Sequence, residues 1–253
     1  MSALEVECLE SVMRLPDTGF SLNESVSNCI RSTGQDSCRW PARVIVAQYN
    51  ALLHAEQSVR PRNIMTDPHQ IEIPTTFETS RLVLQSFRPE HATELHEALV
   101  ESVVDLRKYL WFLPWVAEEQ TLESAQVRCR KAQANFLLRD DLPYLAFEKS
   151  TGNLVASIGL HRTDWTLPKT EVGYWSRSSK TGNGYASEMA SEISLFALVV
   201  LGAKRIELIT DEQNIGSRTV AERCGFQLEG VMRNFERSPD GGLRNNCLYA
   251  RIP

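Results

Sequence analysis

From Glu171 to Ala186 the chain reads Glu-Val-Gly-Tyr-Trp-Ser-Arg-Ser-Ser-Lys-Thr-Gly-Asn-Gly-Tyr-Ala, and no other stretch restricts the fold as strongly. The first half predicts a β-strand, Arg177–Thr181 a polar turn, and the remainder a glycine-spaced loop opening straight into a helix. Gly182 and Gly184 leave the backbone without Cβ atoms at the helix mouth, where the first amide N–H groups lack helical partners and the helix dipole is positive. A strand, a glycine loop and a helix in that order form a unit of an α/β fold, and such a mouth is built to hold a phosphate.

The residues around the glycines narrow the choice of phosphate compound. A Walker loop places Gly-Lys-Ser/Thr at the helix start, so that a lysine reaches the terminal phosphates. Here Gly184 is followed by Tyr185 and Ala186, which excludes that reading. A dinucleotide fingerprint needs a third small residue and an acidic residue about 20 positions on. Counting from Gly182, the third position falls on Ser187, with Glu207 and Asp211 in the right region, so a dinucleotide stays open as a weaker reading.

Downstream, Asn214-Ile215-Gly216-Ser217-Arg218-Thr219-Val220-Ala221-Glu222-Arg223-Cys224-Gly225-Phe226 follows the apolar stretch Arg205–Thr210. Arg81-Leu82-Val83-Leu84, Glu171-Val172-Gly173-Tyr174-Trp175 and Gly230-Val231-Met232-Arg233-Asn234 complete a pattern. Together with Gly182-x-Gly184-x-Ala186, it resembles the GNAT superfamily of acyl-CoA N-acyltransferases, in its RimJ/RimL-like branch. The resemblance spans Pro74 to the C-terminus. It implies a single α/β domain over residues 74–253, with a mixed, mostly antiparallel sheet and helices on both faces.

The same resemblance implies acetyl-CoA as co-substrate, no metal, and transfer of the acetyl group to a primary amine by direct attack in a ternary complex. The acceptor is a protein N-terminus or a small-molecule amine. Coenzyme contacts are expected from Tyr174, Trp175 and Ser176 on the strand, and from Ser179, Lys180 and Thr181 in the turn. They continue through Gly182, Asn183, Gly184, Tyr185 and Ala186 at the helix mouth, and through Asn214 and Ser217 on the next helix. In the family the strand bulges and splays from its neighbour, and an N–H near Tyr174 or Trp175 faces the thioester carbonyl.

Two positions depart from the family pattern. The tyrosine usually found seven residues after the asparagine is Ala221 here, and the long donor that usually opens the loop is Ser179. Arg177 or Lys180 can take over from that donor. These departures suggest the alternative of a non-catalytic acyl-CoA-binding module.

Amine acetylation needs a base for the ammonium proton, donors for a developing oxyanion and a proton for the leaving thiolate. Glu171 is the candidate base, acting through water, against its plain reading as a solvated strand carboxylate. In the RimJ/RimL-like branch the serine three residues after the asparagine stands in for the missing tyrosine, so the resemblance implies Ser217 as the acid, against a plain role in the first helical turn. Trp111, Trp115 and His161 are candidate acceptor contacts, although aromatics at such positions also serve as ordinary packing. Cys224, just before a helix-ending Gly-Phe, reads as packing rather than as a nucleophile.

Composition bears on partners. A hydrophobic fraction of 42%, a charged fraction of 23% and a net charge of −5 supply no basic field for nucleic acid or an anionic membrane. The six cysteines form no C-x-x-C pair, so a reducing cytoplasm is the simplest compartment. A homodimer is an open option. Residues 1–73 read as a poorly structured extension; only Val44–Val59 looks helical, and Met65 reads as a natural start. Beyond Pro74 the expected order is β-α-α-β-β-β-α-β-α-β-β.

Overall fold

Three residues, Thr76–Glu78, form the edge strand β1, too short to show alternation in the sequence. It pairs antiparallel with β2 (Leu82–Ser86), whose Leu82, Leu84 and Ser86 turn inward at every second position. The computed structural model describes residues 67–253; the readings made for residues 1–64, including Val44–Val59, lie outside the described residues. Within them, packing extends ahead of Pro74, because Ile73 is buried in the core and Ile71 lies against it.

After β2 the chain makes a 3₁₀ turn at Pro89–His91 and enters α1 (Ala92–Leu106). Ala92, Leu95 and Leu99 are buried on its inner face. A single turn, α2 (Pro114–Ala117), leads to α3 (Leu122–Leu138). Thr121 caps α3 by accepting the Ser124 N–H, and Ala125, Cys129 and Phe136 form its buried stripe.

β3 (Leu142–Glu148) and β4 (Leu154–Asp164) form the expected hairpin, and most of their residues are buried, as in strands covered on both faces. β5 (Lys169–Ser176) follows antiparallel. The glycine loop opens α4 (Tyr185–Val199), which ends ahead of Gly202 at φ 69°. β6 (Arg205–Asp211), α5 (Ile215–Arg223), β7 (Gln227–Arg237) and β8 (Leu243–Arg251) complete the chain.

The eight strands lie in the order β1-β2-β3-β4-β5-β6-β8-β7, antiparallel throughout except between β5 and β6. This mixed sheet is not the doubly wound parallel sheet of a dinucleotide site. Helix α4 covers one face, where Met189 and Ile193 meet Tyr144, Ile158 and Val172. Helices α1 and α3 cover the other, over Leu145, Leu154 and Trp175. Burying each such large apolar side chain stabilises the fold by about 1.5–3 kcal/mol. Among the described residues no helix is long and apolar enough to cross a membrane.

Candidate active site

The parallel pair β5–β6 is short: it holds Lys169↔Arg205, Thr170↔Ile206 and Glu171↔Glu207, and then the strands part. β6 goes on pairing with β8 as far as Asp211, while β5 stays on β4 as far as Ser176. The result is a split in the sheet at the only parallel seam among the described residues. Arg177 N–H donates to Val155 O at 2.9 Å. Bonding direction alternates along a strand, so Gly173 and Trp175 also address β4. The amides of Val172 and Tyr174 therefore face the split. Of the two N–H groups expected near the thioester, Tyr174 is the one so aimed.

The bulge sits elsewhere than the family likeness implies. The β4–β5 ladder is unbroken from Glu171 to Ser176, and its irregularity falls on β4, between His161 and Asp164. Inside it Arg162 adopts φ 51°, a left-handed conformation costing a non-glycine residue about 1–2 kcal/mol. The side chain thereby reaches Glu171 and donates to both carboxylate oxygens, with Nε 2.9 Å from Oε2. Glu171 is buried, at 9% exposure, so its plain reading as a solvated carboxylate fails, and the candidate base is enclosed and covered by an exposed guanidinium.

At the phosphate loop, Gly182 and Gly184 stand at φ 77° and 79°, and Gly184 caps α4. The cations expected to replace the long donor are already engaged. Arg177 pairs with Glu101 at 2.5 Å and Lys180 with Glu148 at 3.1 Å. Ser179 also turns its backbone N–H to Glu101, at 2.8 Å. Hydrogen bonds from Ser179 and Arg177 hold the Glu101 carboxyl down to about 2. Those from Tyr185, Thr151 and Lys180 do the same for Glu148. A cation that sequence reasoning missed stands at the mouth: Arg81 donates to Asn183 O at 2.9 Å, pairs with Glu188 and lies over the Tyr185 ring. With the loop cations paired, the groups at the mouth of α4 suited to an anion are the backbone amides that open the helix and the helix dipole.

Across the split, Asn214 caps α5 by accepting the Ser217 N–H at 3.1 Å. The Ser217 hydroxyl lies 2.9 Å from the Tyr174 hydroxyl. Burial raises the Tyr174 phenol well above its usual range, so it stays protonated. A tyrosine from β5 thus delivers a hydroxyl to the helix on which Ala221 stands in place of the family's tyrosine. Cys224 is buried, its Sγ 3.3 Å from Ser187 O, and burial pushes its thiol up to about 11. That is packing chemistry, not nucleophile chemistry.

The candidate acceptor residues are held at three separate places. Trp111 Nε1–H donates to Arg237 O at 3.0 Å, and the Arg244 guanidinium lies 5.5 Å from its ring. This joins the segment after α1 to the β7–β8 turn. Trp115 stacks under Arg128 and lies 6.3 Å from Trp175, at the edge of the apolar core. His161 is opposite Glu171 in the ladder, with Nδ1 3.1 Å from Asp141 Oδ1. Asp141 escaped sequence reasoning, although the β3–β4 register, Leu142↔Leu160, sets it beside His161.

Residues 81–227 match the family model described as an acetyltransferase (GNAT) domain. The chain is 25% identical over 158 residues to the uncharacterized N-acetyltransferase YoaA of Bacillus subtilis strain 168, covering 62% of this chain and 86% of YoaA. It is 24% identical over 166 residues to the uncharacterized N-acetyltransferase p20 of Bacillus licheniformis, covering 64% and 88%. The solved structures that share its fold include two acetyltransferases bound to coenzyme compounds. The microcin C7 self-immunity acetyltransferase MccE, in complex with acetyl-CoA and AMP, has TM-score 0.64 and 18% identity over 72% of this chain and 98% of its own. RimL, the ribosomal L7/L12 alpha-N-protein acetyltransferase in complex with coenzyme A, has TM-score 0.62 and 22% identity over 71% and 97%.

Proposed function

The chain belongs to the GNAT acetyltransferase family and is an acetyl-CoA-dependent N-acetyltransferase, and on that premise we propose that it acetylates a primary amine by direct attack within a ternary complex. The working domain is residues 74–253 together with Ile71 and Ile73, which pack on its core. The observation that carries this reading is the split between β5 and β6, with the Tyr174 amide aimed into it beside the glycine loop. An extended pantetheine arm finds unpaired strand hydrogen bonds there, and its pyrophosphate finds the mouth of α4.

Each residue has a part. The Tyr174 N–H donates to the thioester oxygen, where negative charge develops during attack. Ser217 gives the departing sulfur a proton, and the Tyr174 phenol, 2.9 Å away, can replace it. Asn214 keeps its side-chain nitrogen for the coenzyme while its oxygen caps α5. Glu171 favours removal of the ammonium proton through an intervening group, because Arg162 occupies both its oxygens. Holding the two reactants together supplies much of the rate. The acceptor is a protein N-terminus or a small amine. The first is supported by the likeness to RimL, and the wall it would meet is the Trp111–Arg237 junction.

The test is thiol release from acetyl-CoA with a panel of N-terminal peptides and polyamines. Turnover of at least one amine supports the reading. Tight coenzyme binding with release on none supports the non-catalytic module instead.

A further inference from the structure

Acetylating an ammonium removes two protons from nitrogen, and only one can leave on the thiol. The other needs a group with a lone pair that reaches the acceptor, and Glu171 lies behind Arg162. His161 stands directly across the ladder from Glu171 and on the same face of the sheet. Its ring lies over two glycines. A methyl group built on Gly159 would stand 2.8 Å from Nε2, and one on Gly173 would stand 3.0 Å from Cδ2. Any side chain at either position would push the imidazole away. Nε2 thus lies nearest Gly159 and Cδ2 nearest Gly173, the residue just before the Tyr174 amide.

The other ring nitrogen is anchored. Nδ1 lies 3.1 Å from Asp141 Oδ1. Burial works against the Asp141 carboxylate, but its neighbours, His161 foremost, outweigh it and hold the group below its ordinary range. A carboxylate fixed at Nδ1 selects the Nδ1–H tautomer and leaves a lone pair on Nε2. The ring is only half-buried, so the acceptor can reach it.

We propose that the Asp141–His161 pair is the intervening group that takes up the ammonium proton, with His161 Nε2 accepting it directly from the acceptor nitrogen. This rests on the amine-acetylation reading above. The ammonium gives one proton to Nε2, and Asp141 balances the imidazolium. The amine then forms the C–N bond and the C–S bond breaks. The second nitrogen proton passes to sulfur by way of Ser217, and the imidazolium returns its proton to solvent. The sum is ammonium plus acetyl-CoA giving amide, coenzyme A thiol and one proton.

The test uses the full chain with coenzyme A bound. Long-range ¹H–¹⁵N spectra at neutral pH, with the His161 signals assigned by their loss in His161→Gln, are expected to show the Nδ1–H tautomer. Asp141→Asn is expected to weaken that preference. An Nε2–H tautomer in the unsubstituted protein overturns the proposal whether or not an amine has been found. With an amine that the protein acetylates, His161→Gln is expected to lower kcat by about 10²–10⁴-fold while the acetyl-CoA KM holds. Imidazole added to His161→Ala is expected to restore part of the rate. Unchanged kcat in His161→Gln overturns the proposal. If that variant does not fold, Gly173→Ala, whose methyl meets only the imidazole, decides: lowered kcat supports the role and unchanged kcat refutes it. Absence of turnover on every amine counts against the acetylation reading, and the tautomer still decides on His161.

Discussion

Gly184→Ala separates backbone strain from steric clash at the helix mouth. Gly184 holds φ 79° and ψ 5° as the cap of α4. A Cβ there would lie 3.6 Å from the nearest atom, Nη2 of Arg81, which is ordinary contact. Clash therefore contributes nothing, and the cost is the left-handed conformation itself, about 1–2 kcal/mol for an alanine. If the loop keeps its shape, the whole cost falls on stability, and Tm drops by about 2–8 °C at about 2–4 °C per kcal/mol for this size of domain. If the loop relaxes, the cost moves to coenzyme binding, and Kd rises by about 5–30-fold. Thermal unfolding and calorimetric titration with coenzyme A, read together, should sum to the same 1–2 kcal/mol, an order set by the left-handed backbone. Gly216→Ala in α5 is the control. Gly216 does not hold a positive φ, and its Cβ would stand 3.7 Å from Asn214 Oδ1. There alanine should gain up to about 1 kcal/mol from helix propensity. Wild-type stability and affinity in Gly184→Ala, or the loss appearing in Gly216→Ala instead, would refute the reasoning.

Ser217→Ala and Tyr174→Phe each leave one hydroxyl of the pair, so each should lower turnover modestly. The double variant should lower it by more than the product of the two, as expected of partners that replace one another, in single-turnover thiol release. Arg244→Ala strands Asp211, whose side chain is 2% exposed and lies 2.8 Å from the arginine. Loss of about 3–5 kcal/mol is expected in denaturant unfolding, as for other broken buried pairs. Acid should loosen the loop. The Glu101 and Glu148 carboxyls sit near 2 in the folded chain against an ordinary 4.5, so their stabilisation is complete above 4.5 and fades as pH falls toward 2. Tm measured across that window should fall less steeply in the Glu101→Gln, Glu148→Gln double variant.

Local features of the site were legible in the sequence. The glycine loop and the Asn214 cap are contacts within one turn, and the turn at Ser150–Asn153 joins the two strands expected on either side of it. The pairings that govern chemistry were not. Arg81 meets the loop from about a hundred residues away, and Glu101 reaches Arg177 and Ser179 from α1. Each joins elements whose approach depends on the packed sheet. The Arg162 clamp needs a one-residue bulge on β4, which no residue pattern there announces. Charge at the loop looked available in the sequence because Arg177 and Lys180 were visible and their carboxylate partners were distant. Asp141 meets His161 only because the β3–β4 ladder slips by one residue between Ala146 and Phe147, a shift that no residue pattern announces.

Direct transfer in a ternary complex is the central claim, and initial velocities at crossed concentrations of acetyl-CoA and an accepted amine test it most directly. Intersecting double-reciprocal lines, with no acetylated protein detected by mass after incubation with acetyl-CoA alone, are the predicted result. Parallel lines with an acetyl group carried on the protein would contradict it.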